Sequence, residues 1–151
     1  MRKMLKPVYF VLLLALMAMM NGCAVNRATA TVDQTTDLSA LRTFHVQKYS
    51  EDTRDTNILI ESKLVEMGFD VSENVTDVDA IVTYVDKWFW DITMYMLELT
   101  VTLRDPKTDF PLATGNSYHT SMSRKSPEGM VDEVLTNIFY SEQKKGVSDD
   151  K

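Results

Sequence analysis

Apolar and polar positions change period several times along this chain, and each change marks an element. Residues 29–33 and 43–47 are short β-prone stretches separated by the turn-like Thr35-Thr36-Asp37. From about residue 53 to 67 the spacing becomes helical, with Ile60, Leu64 and Met67 on one stripe. Gly68 follows where a helix needs a left-handed residue to stop. A short strand is expected over 69–71 and a longer one over 80–90. The segment 93–104 then alternates, with Tyr95, Leu97, Leu99, Val101 and Leu103 on one face and Met94, Met96, Glu98, Thr100 and Thr102 on the other. Asp105-Pro106-Lys107-Thr108-Asp109 predicts a turn, because proline pre-sets its second position. A further strand is expected over 112–122. In the last element Ser126 can cap, Pro127 suits the first helical position and Glu128 favours the positive helix end. Val131, Val134, Leu135, Ile138 and Phe139 form its apolar arc.

The order is therefore β-β-α-β-β-β-β-α. It predicts an α+β fold, an antiparallel or mixed sheet with two helices packed on one face. The later strands are joined by turns too short for crossovers, which favours antiparallel pairing among them. A length of 151 residues and a hydrophobic share of 44% suit one globular domain. Four segments are expected: 1–22 a signal peptide, 23–28 a tether, 29–140 the domain, and 141–151 a polar tail.

The N-terminus has a different character. Arg2, Lys3 and Lys6 precede an apolar run from Val8 to Met20, with no acidic residue among them. As a helix that run would measure roughly 20 Å, against a hydrocarbon core of about 30 Å. A basic start, a short apolar middle and a small residue at the end describe a secretory signal. Loss of its three cations leaves the exported part more acidic than the formal −6 of the full chain. That sign disfavours nucleic acid and anionic surfaces as partners. Arg124-Lys125 and Lys144-Lys145 are local exceptions, expected on solvated faces.

Exported domains often hold cysteines in pairs, yet this chain has one, Cys23, at the leader's end. Met20-Asn21-Gly22-Cys23 resembles a lipobox, where bacteria attach diacylglycerol to a cysteine thiol and cleave just before it. Gly22 fits the pattern, whereas Met20 and Asn21 depart from its usual residues. The resemblance to bacterial lipoproteins implies lipidation at Cys23 and attachment to a membrane through covalent lipid. Aspartate after the cysteine implies retention at the inner membrane. Ala24 points instead to the outer membrane's periplasmic face, with the inner membrane as the alternative. Within the domain, Leu41-Arg42-Thr43-Phe44, Met67-Gly68-Phe69 and Val78-Asp79-Ala80-Ile81-Val82 resemble segments of small lipoproteins in domain-of-unknown-function families. That resemblance implies an α/β sandwich and an envelope location, and no established activity.

Candidate chemistry is sparse. Gly115-Asn116-Ser117-Tyr118-His119 lacks the second glycine of a nucleophile elbow. Ser117 and His119 would share a strand face, but no acidic residue is identifiable from the sequence to orient the histidine. The two histidines, His45 and His119, lack zinc-ligand spacing. Asp77, Asp79, Asp105 and Asp109 lack the spacing of a calcium loop and suit turns and caps. Hence no enzyme activity, metal or cofactor is expected.

Trp88-Phe89-Trp90 is the candidate contact surface, because large rings concentrate at binding hot spots and membrane interfaces. Burial in the core is the competing expectation. The leading functional expectation is a non-enzymatic envelope lipoprotein contacting another envelope component through the aromatic hairpin around Trp88 to Met94. The alternative is a carrier of a small apolar ligand or lipid between helices and sheet, its pocket lined by some of the ten methionines.

Overall fold

A computed structural model describes residues 25–146, with side chains to residue 140. The expected signal peptide and Cys23 lie outside the described residues, as do residues 147–151. Six strands follow the expected order: β1 (Asn26–Val32), β2 (Thr43–Val46), β3 (Asp70–Val71), β4 (Ala80–Trp90), β5 (Met94–Arg104) and β6 (Pro111–His119). Helix α1 (Thr56–Glu66) lies between β2 and β3, and α2 (Pro127–Gly146) closes the chain. The sheet order is β1-β6-β5-β4-β2-β3. Pairing is antiparallel from β1 through β4 and parallel among β4, β2 and β3, so the sheet is mixed. Both helices pack on one face, as the periodicities predict.

Several boundaries differ from expectation; β6 stops at His119 and not at 122, because residues 121–123 form a turn. β1 begins at Asn26, so Asn26–Ala28 belong to the sheet and not to a tether. Their backbone groups find partners along β6, which an isolated polar segment would leave to water. α2 continues to Gly146, past the expected start of the tail at 141.

A bulge changes the face of one strand. Lys87 lies opposite Glu98, but Trp88 lies opposite Met96, which leaves Leu97 as the extra residue on β5. One extra residue inverts the alternation on its far side. Met96, expected to face away from Leu99, therefore joins Leu99, Val101 and Leu103 in the core. Tyr95 turns to the opposite face, beside Phe89.

The helix ends follow from particular residues. Before α1, the Asp52 carboxylate accepts the amides of Arg54 and Asn57 and the Tyr84 hydroxyl. These bonds shape residues 52–55 into a cap with Asp55 at φ 55°, so the helix starts at Thr56 and not near 53. After α1, Gly68 takes φ 89°. Its amide bonds to the Val65 carbonyl while that of Phe69 reaches Leu64, a Schellman ending. At α2 the Ser126 hydroxyl accepts the Gly129 amide at 3.1 Å, the expected cap.

Two contacts set the core. The Asp79 carboxylate, just before β4, accepts the amides of Arg42 (2.8 Å) and Thr43 (2.9 Å) at the start of β2. It thereby aligns two parallel strands at the same end. Phe44, Phe69 and Phe139 pack over that end with ring centroids 4.7–6.0 Å apart. Elsewhere α2 lies against the sheet where Gly115 has no side chain. A Cβ there would stand 2.8 Å from Ile138 Cγ1 and 2.9 Å from Val134 Cγ1. We expect Gly115→Ala to lower stability by about 1–3 kcal/mol through overpacking, read as a fall in the urea midpoint at unchanged slope.

Candidate functional site

The aromatic segment ends a ribbon that outruns the rest of the sheet. β5 stays paired with β6 as far as Glu98 and Tyr118, whereas β4 and β5 pair on to Trp90 and Met94. The three expected contact residues do not share one fate. Trp88 is partly buried against the core; its indole nitrogen donates to Asp86 at 2.8 Å, and the Arg54 guanidinium lies 4.5 Å from its ring centre. It is a structural residue at the core's margin. Phe89 is 51% exposed and Trp90 64%. Ile92 at the turn is 87% exposed and Met94 is 44% exposed. The exposed apolar surface is thus the tip, Phe89 to Met94, within the hairpin that the sequence marks, with Trp88 excepted.

Arg124 holds this tip in place. Its guanidinium donates to Asp91 (2.9 Å) and Thr93 Oγ1 (2.6 Å), and lies 4.6 Å from the centre of the Tyr95 ring. Its Nε donates to the carbonyl of Ser121 in the turn Ser121–Ser123. The Ile92 amide also donates to the Asp91 carboxylate, and that bond more than any other holds the carboxyl below its ordinary range. Arg124 is therefore a structural clasp, where a solvated cation was expected. Met122, within the same turn, is 76% exposed.

The start of the described chain meets the same turn. The Val25 carbonyl accepts the Thr120 amide (3.1 Å) and the Ser123 hydroxyl (2.9 Å), and its amide donates to Thr120 Oγ1. Asn26 then lies opposite His119 in the β1–β6 ladder. Chain start, turn and hairpin are joined at one end of the molecule.

Beneath this end lies a buried polar cluster. Ser117 and His119 do share a face of β6, and α2 supplies the acid that the sequence reading lacked, Glu133. Its Oε2 accepts the Ser117 hydroxyl at 2.6 Å and stands 2.7 Å from His119 Nε2. Its Oε1 accepts Lys125 Nζ at 2.7 Å. His119 Nδ1 faces the Ser123 carbonyl at 2.8 Å, an acceptor, so that nitrogen donates. Three features separate this cluster from a nucleophilic triad. The serine proton points to the carboxylate, the imidazole does not contact the hydroxyl, and Ser117 and His119 are both buried. The cluster fastens β6 and the turn to α2. Sequence spacing could not join positions 117 and 133 without knowing that α2 crosses β6.

The remaining candidates have local tasks. Asp105 accepts the amides of Lys107 and Thr108 within its turn, and Asp109 adopts φ 58°. His45 Nδ1 lies 2.9 Å from the Ser72 carbonyl. Among the described residues no group of three or more His, Cys, Asp or Glu side chains is placed to hold a metal ion. A cleft of about 410 Å³ opens between the outer faces of α1 and α2, bordered by Lys63, Glu66, Glu128 and Asp132 as well as Leu59 and Val131. Met96 and Met130 are fully buried in the core.

Comparison with known proteins gives a likeness of fold. No family model matches the chain, and no curated protein matches it in sequence. Among solved structures, a PelC dodecamer from Paraburkholderia phytofirmans superposes with a TM-score of 0.56 at 12% identity, covering 75% of this chain and 96% of that one. A DUF4136 family protein from Bacteroides thetaiotaomicron superposes with a TM-score of 0.54 at 8% identity, covering 78% and 96%. The α+β architecture thus recurs in bacterial proteins, one of them from a domain-of-unknown-function family. At such identities a common fold says nothing of a common task.

Two measurements test this end of the molecule. Burial alone would raise the Glu133 carboxyl, but hydrogen bonds from Lys125, Ser117 and His119 outweigh it and bring the group down to about 2 from 4.5. A carboxylate lowered on folding adds stability above its unfolded value, and that part is lost as pH falls from about 4.5 to about 2. We expect Glu133→Gln to shrink the stability difference between the two ends of that window by about 3 kcal/mol, read from urea unfolding. Separately, Trp88→Ala should cost about 3 kcal/mol as a packed aromatic, whereas Trp90→Ala should stay within about 0.5 kcal/mol. Thermal melts compare the pair.

Proposed function

We propose that this chain is a non-catalytic envelope lipoprotein, joined to a bilayer through fatty chains on Cys23 and contacting another envelope component through its aromatic hairpin. The observation that supports it most is the sole cysteine of the sequence standing directly after a basic and apolar leader. One acyl chain binds a membrane reversibly, at about 0.8 kcal/mol per buried methylene, and two or three on one residue make release very slow. The start of β1 strengthens the reading. β1 begins at Asn26, three residues after Cys23, so a lipid on that cysteine would hold the domain close against the bilayer. Ala24 favours the periplasmic face of the outer membrane, with the inner membrane as the alternative.

The hairpin suits contact and not catalysis, since its exposed side chains are apolar and the polar cluster behind it is buried. The carrier alternative needs space between helices and sheet, where Met96 and Met130 are packed into the core. Radiolabelled palmitate should enter the wild-type protein and be absent from Cys23→Ser. The variant should also move from the membrane to the soluble fraction. Equal labelling of both proteins would end the lipid-anchored reading.

A further inference from the structure

The end of the domain nearest Cys23 is also its apolar end, which narrows what the hairpin can touch. Val25 is hydrogen-bonded to Thr120 and Ser123. The same turn bonds through Arg124 to Asp91 and Thr93 at the hairpin tip. One residue, Ala24, stands between Val25 and Cys23, two steps of chain and a reach of no more than about 7 Å. Past the Glu98–Tyr118 pair the ribbon runs on to Met94, about 13 Å of strand at ~3.3 Å per residue. It projects from the sheet on the side where the chain begins.

We propose that this tip is a second membrane contact: Phe89, Trp90, Ile92 and Met94, with Met122 on the adjoining turn, seat among the headgroups of the bilayer that holds Cys23. The proposal rests on the lipid-anchored reading and names the hairpin's partner as the lipid surface. Tryptophan prefers the headgroup level, where its ring is half in hydrocarbon and its N–H stays wet. An Ile at the turn and a Met beside it supply an apolar point without a net charge, because Asp91 is paired with Arg124. Charge sets the same orientation. The turns at the opposite end of the sheet hold Asp33, Asp37, Asp77, Asp105 and Asp109 against Arg104 and Lys107, whereas at the hairpin end Glu51, Asp52 and Asp55 stand with Lys48 and Arg54, so the more acidic end would point away from anionic lipid. A protein partner needs no such coincidence between tip and anchor, whereas a bilayer requires it.

The test uses the lipidated full-length chain in vesicles of phosphatidylethanolamine and phosphatidylglycerol. Trp88→Phe leaves Trp90 as the single indole, and Trp90→Phe leaves Trp88 as the control. Phospholipids brominated near the headgroup should quench Trp90 at least about twofold more than Trp88, as expected for a side chain within about 5–10 Å of the acyl boundary. Equal quenching of the two, in protein that incorporates palmitate, would overturn the proposal and leave the anchor standing. Failure to incorporate palmitate would remove the anchor and the proposal together. In cells, a benzophenone side chain placed at Ile92 should crosslink to phospholipid, and crosslinking to a protein instead would overturn the membrane assignment.

Discussion

The antiparallel pairing of β1 with β6 decides how this molecule is oriented. Strand hydrogen bonds are individually weak, about 1 kcal/mol net, but a ladder fixes register across its whole length. With Asn26 opposite His119, the first residue of the strand is placed beside the turn that follows β6. The same turn carries the other contacts at that end. The turn is held to α2 through His119, Glu133 and Lys125, and to the hairpin through Arg124. An anchor joined upstream of β1 would pull on the end of the domain that is most densely cross-linked.

Much of the fold was legible because periodicity and caps agree in this chain. Ser126, Pro127 and Gly68 punctuate the helices as their backbone preferences require, and β4 has the bounds that its β-prone run suggests. What was not legible depends on contacts between distant elements. The bulge at Leu97 leaves no mark in the sequence, since alternation simply continues through it and only the partner strand shows the slip. Arg124 and Lys125 look like solvated charges until the hairpin and Glu133 are brought beside them. The same holds for Trp88 and Trp90. They share a strand face, yet Asp86 and Arg54 cover one ring while the other extends beyond that cover.

The buried cluster shows why residue types alone mislead about chemistry. Serine, histidine and glutamate do meet, within hydrogen-bond distance. Their order is wrong for nucleophile activation, because the carboxylate stands between the other two. A charge-assisted hydrogen-bond hub of this kind gives rigidity at high cost if one member is lost. Here it supports the platform from which the hairpin projects.

The Asp79 clamp joins two short segments that lie far apart in the chain. Leu41-Arg42-Thr43-Phe44 and Asp79-Ala80 meet when one carboxylate takes two successive amides. The burden on the two partners is unequal. Positions 42 and 43 contribute backbone only, so drift among most residue types there leaves the clamp intact, and proline is the exception because it has no N–H to give. Position 79 contributes the side chain itself. Selection acting on this contact would therefore register at a single aspartate, while its partners remain free to diverge.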